Sequence, residues 1–332
     1  MSTQDTKDIP RWFEPGTIID ERFQIVDLIG SGGVARVYRC IQLDIGREVA
    51  LKVVSPDTSR SARQMSERRL VNEALTTARI HHPNVINIRG MGEQIRATLK
   101  DGTRDIYDRP YIAMEYLRGH SLADELALSG PMSPARALPL FLKVIDALAT
   151  AHKLGIVHKD IKPDNLFLTS PGQPRSALIV LDFGIARAEE IFTIDGSVPC
   201  TVNYVAPEYI ESHIVTPAID VYQIALVLVE ALTGHPVVDS DYVTHCIAMH
   251  IQGRLVIPDN ILSSPLGPIL KRALERNHTL RIQDCGALYD QLAQIDPSAI
   301  HLGDEEMEDD LFFGDEEEPN GQPTLEESLY KR

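Results

Sequence analysis

Two oxygen-bearing side chains lie five residues apart in the segment 158–165, HKDIKPDN, and a third follows seventeen residues later; they are Asp160, Asn165 and Asp182. An aspartate placed like Asp160 could accept or orient the proton of an incoming hydroxyl. Asn165 and Asp182 offer the few oxygen ligands that Mg2+ takes when it bridges phosphates, and Lys162 would neutralise developing charge. The spacing indicates transfer of a phosphoryl group to a hydroxyl, with a polar turn of satisfied carboxylates as the alternative.

A glycine-rich turn and a strand lysine precede this segment. The turn, Gly30-Ser31-Gly32-Gly33, separates two predicted strands, and its glycines would let backbone N–H groups approach a triphosphate. Alone, this pattern favours an ordinary β-turn. Lys52, in the strand sequence VALK, could reach the α- and β-phosphates of a nucleotide below that turn, although taken singly it is an exposed strand lysine. The interpretation depends on the whole set of motifs.

The motifs follow one another in a fixed order: GSGG at 30–33, VALK at 49–52, HKDIKPDN at 158–165, DFG at 182–184 and APE at 206–208. In this order, and over about residues 17–292, the chain resembles the eukaryotic-like (Hanks-type) serine/threonine protein kinases, specifically their bacterial branch. The sequences YIAMEY at 111–116 and DVY at 220–222 are similar to the same branch. The third glycine of the family pattern is replaced here by Ala35.

The resemblance implies an α+β, bilobal protein-kinase fold, with a small antiparallel β-sheet N-lobe that has one main helix and a larger, mostly helical C-lobe. Residue patterns predict strands at 23–28, 34–43 and 48–54, a helix at 61–80, a hairpin or loop insertion at 93–110, and chiefly helices after residue 121. The predicted divisions are a polar leader (1–16), the N-lobe and hinge (17–117), the C-lobe (118–295) and an acidic disordered tail (296–332).

The resemblance also implies a nucleotide site. Glu73, in the helix at 61–80, would pair with Lys52, and Met114 would stand as the gatekeeper beside adenine, whose edge the backbone of Glu115 and Leu117 would bind. The remaining implied ATP contacts are Ile29, Gly30, Ser31, Gly32, Gly33, Val37, Ala50, Phe167 and Asp182. ATP is the implied cofactor together with Mg2+ at Asn165 and Asp182, and Mn2+ is an alternative metal.

Other residues have structural or specificity roles in kinases of this family. Glu208 would form a buried ion pair with Arg281, and Asp220 would anchor the catalytic loop from below. Lys162 and Thr201 match residues of the serine/threonine enzymes. The resemblance therefore favours serine or threonine hydroxyls over tyrosine as the acceptor.

The chain departs from the family pattern next to its central aspartate. Lys159 stands where these kinases usually have arginine, whose planar fork grips a phosphate with two bonds. We therefore expect weaker dependence on phosphorylation of the activation segment. Candidate phosphorylation sites there are Thr193, Ser197 and Thr201. Cys200 and Val202 replace the usual glycine and proline, which leaves the peptide preference open.

Composition limits the expected partners and location. The net charge is −16, and 13 acidic against 2 basic residues place −11 of it in 296–332, so neither nucleic acid nor an anionic membrane is an expected partner. The four cysteines are widely spaced, and the N-terminus lacks a signal-peptide pattern. The most apolar run is too short to span a membrane. These features predict a cytoplasmic protein.

The leading hypothesis is a serine/threonine protein kinase that transfers the ATP γ-phosphoryl group to Ser or Thr hydroxyls of protein substrates, including its own. The alternative is a kinase-fold scaffold that binds nucleotide or partners without useful turnover. The tail is predicted to be a solvated spacer. Its alternatives are docking of Leu311-Phe312-Phe313 on a basic groove and recognition of phosphorylated Thr324.

Overall fold

The computed structural model of the protein describes residues 13–32, 35–54, 60–173, 175–183 and 200–302, without the side chains of 60–64, 200 and 201. Contacts within the chain separate a compact unit, Met1–His301, from a second unit, Leu302–Arg332. All of the described secondary structure belongs to the first unit. In chain order it forms a small lobe built on a sheet and then a larger lobe built on helices.

The small lobe is an antiparallel sheet with one helix, α1 (Arg60–Thr77). Its strands are β1 (Ile18–Ile19), β2 (Phe23–Ser31), β3 (Ala35–Gln42), β4 (Arg47–Val54), β5 (Ile88–Gly92), β6 (Ile95–Thr98), β7 (Arg104–Tyr107) and β8 (Tyr111–Glu115). They lie in the spatial order β5-β8-β4-β3-β2-β1-β6-β7. The predicted strands at 23–28, 34–43 and 48–54 therefore correspond to β2, β3 and β4.

Strand alternation gives this sheet two apolar faces. One face packs on α1 through Leu70 and Ala74. The opposite face is covered by Phe13 and by the hairpin β6–β7, which contributes Ile95 and Tyr107 to the core. The hairpin joins the sheet because β6 pairs with β1. The segment predicted as a hairpin or loop is thus a hairpin that covers the strands next to the glycine-rich turn.

The large lobe is mainly helical. Its helices are α2 (Leu122–Ser129), α3 (Pro134–Lys153), α4 (Pro207–Ser212), α5 (Ala218–Thr233), α6 (Val243–Gln252), α7 (Asp259–Leu262), α8 (Gly267–Ala273) and α9 (Cys285–Leu292). A small sheet consists of β9 (Gly119–Ser121), β10 (Leu166–Thr169) and β11 (Ala177–Val180), in the order β11-β10-β9. Short 3-10 turns occupy Pro163–Asn165, Cys200–Tyr204 and Pro297–Ala299.

Two features fix the centre of the large lobe. Helix α5 is buried over residues 218–232 and ends at Gly234, whose φ of 81° suits a glycine. Gly119, where β9 begins, has a φ of 150°, and a Cβ there would collide with the carbonyl of Leu168 on β10. Helix α5 is therefore the buried centre of the lobe, and the glycine lets β9 lie close to β10.

The sheet-based small lobe and the helical large lobe confirm the predicted α+β, bilobal class. The helix predicted to reach residue 80 ends at Thr77. The structure also describes residues up to 302, beyond the predicted start of the disordered tail at residue 296. In this stretch Asp296 accepts the Ser298 N–H at 2.9 Å, and Ile300 is buried. Among the residues that the structure describes, no helix has both the length and the apolar character that a membrane crossing requires.

Candidate active site

Lys52 links the two lobes through a pair of carboxylates. It lies in β4 opposite Val37 and Ile112, so its side chain leaves the sheet on the face that packs against α1. Its Nζ is 2.9 Å from Glu73 Oε1 on α1 and 2.8 Å from Asp182 Oδ1, just after β11. One ammonium therefore joins carboxylates that are 21 and 130 residues away in the sequence.

Three ionisable side chains meet at this point, and each strongly changes the pKa of the others. Burial and then the Asp182 charge raise the pKa of Glu73 to about 8. Burial by itself would raise the pKa of Asp182, but the Lys52 ammonium outweighs it and the pKa falls to about 2. Burial also opposes the charge of Lys52, and the two carboxylates reverse that effect, so the pKa of Lys52 is raised. Asp182 is therefore ionised, which is the form in which a carboxyl group binds a metal ion.

The loop that carries Asp160 is closed by Asn165, which lies in the turn Pro163–Asn165. The Asn165 amide donates to the Asp160 backbone carbonyl at 2.7 Å and to Asp160 Oδ2 at 3.0 Å. Lys162 Nζ is 4.0 Å from the same carboxylate oxygen. Because the Asn165 N–H groups are directed at Asp160, its Oδ1 is the atom suited to a cation.

Asp220, fully buried on α5, holds the same loop from below. Its carboxylate accepts the backbone N–H groups of His158 and Lys159, each at 2.8 Å, and bonds the His152 ring at 2.9 Å. Burial would raise the pKa of Asp220, but the His152 bond outweighs it and the pKa is lowered. Lys159 has a left-handed φ of 70°, a strained value for a residue with a side chain. The anchor expected at Asp220 is present.

Several residues predicted to surround adenine share one face of the small sheet. Ala50 is opposite Met114 and Val37 is opposite Lys52, and residues opposite each other in antiparallel strands point to the same side. Ala50 is buried, whereas Val37 and Met114 are half-buried. This face is also the one that carries the Lys52 ammonium toward Glu73.

The other predicted nucleotide contacts lie on separate elements. Ile29 is exposed on β2, Phe167 is half-buried on β10, and Leu117 is half-buried between β8 and β9. The Glu115 N–H donates to the Asn87 carbonyl at 2.9 Å, so the carbonyl is the backbone group of Glu115 that a ligand could use. The prediction that the Glu115 backbone binds the adenine edge is therefore limited to the carbonyl of that residue.

The glycine-rich turn is partly closed by its own backbone. Gly30 and Ser31 end β2, opposite Val37 and Arg36 of β3. The Gly32 N–H donates to the Ala35 carbonyl at 2.9 Å. That donor is therefore engaged within the turn, which differs from the expectation that its amides all face a triphosphate.

The turn Cys200–Tyr204 is fixed by two helices. Tyr204 donates its hydroxyl to Glu230 Oε2 on α5 at 2.7 Å. His250 of α6 is fully buried and bonds the Val202 carbonyl through Nε2 at 3.0 Å and the Tyr222 hydroxyl through Nδ1 at 2.8 Å. Burial lowers the pKa of His250 to about 4, so the neutral ring donates to Val202 and accepts from Tyr222.

Sequence reasoning did not single out these contacts, nor Gln223, a buried amide on the otherwise apolar part of α5. A polar residue inside an apolar helical run is the signal that could have found Gln223, because a buried amide must be hydrogen-bonded.

The expected pair of Glu208 and Arg281 is present, with Nη1–Oε1 at 2.7 Å, Nη2–Oε2 at 2.9 Å and both side chains buried.

Asn165 and Asp182 are the residues whose chemistry fits a divalent metal. Both offer hard oxygen ligands, and the Asp182 side chain is 44% exposed beside Lys52. Over the described ranges, no group of three or more His, Cys, Asp or Glu residues is arranged as a metal cage. Two protein oxygens suit Mg2+, which keeps several waters and binds substrate phosphates.

Some predicted residues lie outside the described residues. They are Gly33, Gly184, Thr193, Ser197, the segment 303–332, and the side chains of Cys200 and Thr201.

Comparison with known proteins gives one family. The sequence model of the protein kinase domain matches residues 23–298. The chain is 35% identical over 239 residues to the serine/threonine-protein kinase PrkC of Bacillus subtilis, covering 71% of this chain and 34% of that protein. It is 30% identical over 284 residues to the serine/threonine-protein kinase PknB of Mycobacterium tuberculosis, covering 83% of this chain and 43% of that protein.

A third relative is the probable serine/threonine-protein kinase CPE1738 of Clostridium perfringens, 30% identical over 305 residues that cover 90% of this chain and 42% of that protein. The matches thus span less than half the length of these relatives. Among solved structures, the Mycobacterium tuberculosis PknI kinase domain superposes with a TM-score of 0.59 at 23% identity, over 85% of this chain and 99% of that one. That likeness concerns the fold.

Proposed function

We propose that this chain, which belongs to the protein kinase domain family, is a serine/threonine protein kinase that transfers the γ-phosphoryl group of ATP to hydroxyls of protein substrates and of its own chain. The observation that carries the proposal is the Lys52 ammonium between Glu73 and Asp182, at 2.9 and 2.8 Å. A fixed cation beside an ionised carboxylate is the electrostatic arrangement that a metal-bound triphosphate needs.

The nucleotide would bind in the region of this ion pair. Lys52 would contact the α- and β-phosphates, while the carbonyl of Glu115 and the backbone of Leu117 would bind the adenine edge. The apolar walls would be Ile29, Val37, Ala50, Met114 and Phe167. Mg2+, held by Asn165 and Asp182, would neutralise phosphate charge. We propose Mg2+, with Mn2+ as the alternative, because both ions take oxygen ligands and keep bound waters, and titrating each metal in the transfer assay separates them.

Asp160 would act on the acceptor. Its carboxylate would accept the hydrogen bond of the Ser or Thr hydroxyl and take the proton as the new O–P bond forms. The bond from the γ-phosphorus to the β–γ bridging oxygen breaks, and ADP leaves with that oxygen. Lys162, 4.0 Å from Asp160 Oδ2, would neutralise the charge that develops on the transferring group. The relatives named as serine/threonine kinases support this acceptor class.

A kinase-fold scaffold without turnover is the competing function. Incubation with γ-labelled ATP, Mg2+ and a protein acceptor separates the two. The wild type should incorporate label, and Asp160→Asn should reduce the rate by about 10²–10⁴-fold, the usual contribution of general base catalysis. Asp290→Asn, which changes an exposed carboxylate on α9, is the matched control and should behave as wild type. Equal label with wild type and Asp160→Asn would support the scaffold.

The roles of the tail and the cytoplasmic location stay predictions. The tail is predicted to be a solvated spacer, and the alternatives are docking of segment 311–313 on a basic groove and binding of phosphorylated Thr324 by a recognition domain. Comparing partner capture by the full chain and by a form without residues 303–332 tests both. Unchanged capture would remove them.

A further inference from the structure

Gln223 is a buried polar residue in a helix that is otherwise packed with apolar side chains. It is 2% exposed and lies on α5, whose residues 218–232 are all buried. A buried amide without partners costs free energy, so such a residue persists in a core when its hydrogen bonds are complete. The hydrogen-bond partners of Gln223 therefore indicate its role.

The Gln223 amide binds the backbone on both sides of Asp160. Its Oε1 accepts the Ile161 N–H at 3.0 Å, and its Nε2 donates to the Lys159 carbonyl at 3.2 Å. The same Nε2 donates its second hydrogen to the Tyr204 carbonyl at 3.1 Å. One side chain thus joins the loop that carries Asp160 to the turn Cys200–Tyr204.

This set of partners selects an amide of this length. The site presents one N–H donor and two carbonyl acceptors, which an amide matches with one acceptor atom and two N–H hydrogens. A carboxylate would face two carbonyl oxygens without a donor, and a hydroxyl has a single hydrogen. The site is therefore specific for the chemistry of Gln223.

Asp220 and Gln223 divide the loop between them. They are three residues apart on α5 and so lie on the same side of the helix. Asp220 accepts the N–H groups of His158 and Lys159, which precede Asp160. Gln223 binds the Lys159 carbonyl and the Ile161 N–H, which flank Asp160, and it adds the bond to Tyr204.

We infer that Gln223 is a positioning residue for phosphoryl transfer, which fixes the backbone of Asp160 relative to the turn Cys200–Tyr204 and so sets the distance from the Asp160 carboxylate to the acceptor hydroxyl. The inference rests on the proposed function, in which Asp160 acts on that hydroxyl. Because Gln223 does not touch Lys52 or Asp182, its contribution falls on the acceptor and not on the nucleotide.

Two variants of equal length test this role. Gln223→Met removes all three bonds and fills the space, and Gln223→Glu keeps an acceptor for Ile161 but loses both donors. We expect kcat for a peptide substrate to fall about 10- to 100-fold, since small misplacements of reacting groups cost rates of that order. The KM for ATP should stay within about twofold of wild type, because the phosphate-binding residues are unchanged.

The decisive readout is the ratio of phosphopeptide formed to ADP released. Unfolded molecules contribute to neither product, so a loss of stability alone leaves this ratio and the ATP KM at their wild-type values. A misplaced Asp160 lets water compete with the peptide hydroxyl, so the ratio should fall several-fold. Leu228→Ala is the control, because Leu228 is buried on α5 about 140° around the helix from Gln223, and it destabilises the lobe by leaving a cavity.

The outcomes are distinct. A lower product ratio in both Gln223 variants, with a wild-type ratio in Leu228→Ala, supports the inference. Wild-type ratios in the Gln223 variants, or an unchanged kcat, overturn it while leaving the proposed kinase function intact. If the wild type itself forms no phosphopeptide, the proposed function fails first.

Discussion

Breaking the buried ion pair between Glu208 and Arg281 should cost far more stability than breaking an exposed pair beside it. Glu208 lies on α4 with 3% of its side chain exposed, and the Arg281 side chain is fully buried. The two groups share two bonds, at 2.7 and 2.9 Å. Changing Glu208→Gln keeps the shape but leaves a buried guanidinium without its countercharge.

The expected size of this effect follows from the surroundings of Arg281. Breaking a buried pair by removing one partner costs about 3–5 kcal/mol. Arg281 also donates to the carbonyls of Ala218, Glu275 and Arg276, at 3.0, 2.8 and 3.2 Å. Those bonds keep some compensation for the charge, so we expect a loss of about 3 kcal/mol. For a lobe of this size, that corresponds to a Tm lower by roughly 6–12 °C.

Helix α4 supplies a matched control. Glu211 pairs with Arg276 at 2.8 Å, but its side chain is 39% exposed and that of Arg276 is 51% exposed. Exposed pairs contribute about 0.2–1 kcal/mol, so Glu211→Gln should lower Tm by no more than about 4 °C. Thermal unfolding of both variants by circular dichroism, in one buffer without nucleotide, makes the comparison.

Equal Tm values for the Glu208→Gln and Glu211→Gln variants would refute this reasoning. A double variant, Glu208→Leu with Arg281→Met, sharpens the test because it removes both charges. Replacing a whole buried pair with apolar groups is often close to neutral. The double variant should therefore be more stable than Glu208→Gln.

Three further predictions concern single residues. With lysine at 159, phosphatase-treated protein should keep most of its activity, and loss of all activity with an intact fold would contradict this. Burial raises the pKa of Glu230 from 4.5 to about 7, so the folded state holds a proton that the unfolded state has lost, and stability falls as pH rises through that interval. The Tm of Glu230→Gln minus the Tm of the wild type should therefore increase from pH 5 to pH 8. A difference that stays constant over this range would contradict the prediction. His250→Phe removes the bond to Val202 and should raise the peptide KM several-fold while leaving the ATP KM unchanged; an unchanged peptide KM, or an equal rise in both KM values, would contradict a role confined to the peptide side of the site.

The sequence predicted the elements of the small lobe better than their pairing. The residue pattern, rich in β-branched residues between glycine turns, placed strands at 23–28 and 48–54, and the structure has them at Phe23–Ser31 and Arg47–Val54. It left the segment 93–110 as a hairpin or loop, because pairing with Ile18–Ile19 is decided by the shared burial of Ile95 and Tyr107. Such long-range partners are not encoded in local periodicity.

The same limit applies to the candidate site. Motif order identified Lys52, Glu73 and Asp182, and in the structure Lys52 Nζ is 2.9 Å from Glu73 and 2.8 Å from Asp182. The motifs did not reveal Gln223 or His250, because these side chains bind backbone groups of Ile161 and Val202. Backbone partners carry no residue type, so spacing in the sequence cannot identify them.

The central claim is that Lys52 and Asp182 act together on one metal-bound nucleotide. Label transfer from γ-labelled ATP, measured for Lys52→Met, Asp182→Asn and the double variant, tests it directly. Residues that act as a unit give losses that do not multiply, so the double variant should be no slower than the slower single variant. Losses that multiply in the double variant would mean that the two residues act independently, and would contradict the account.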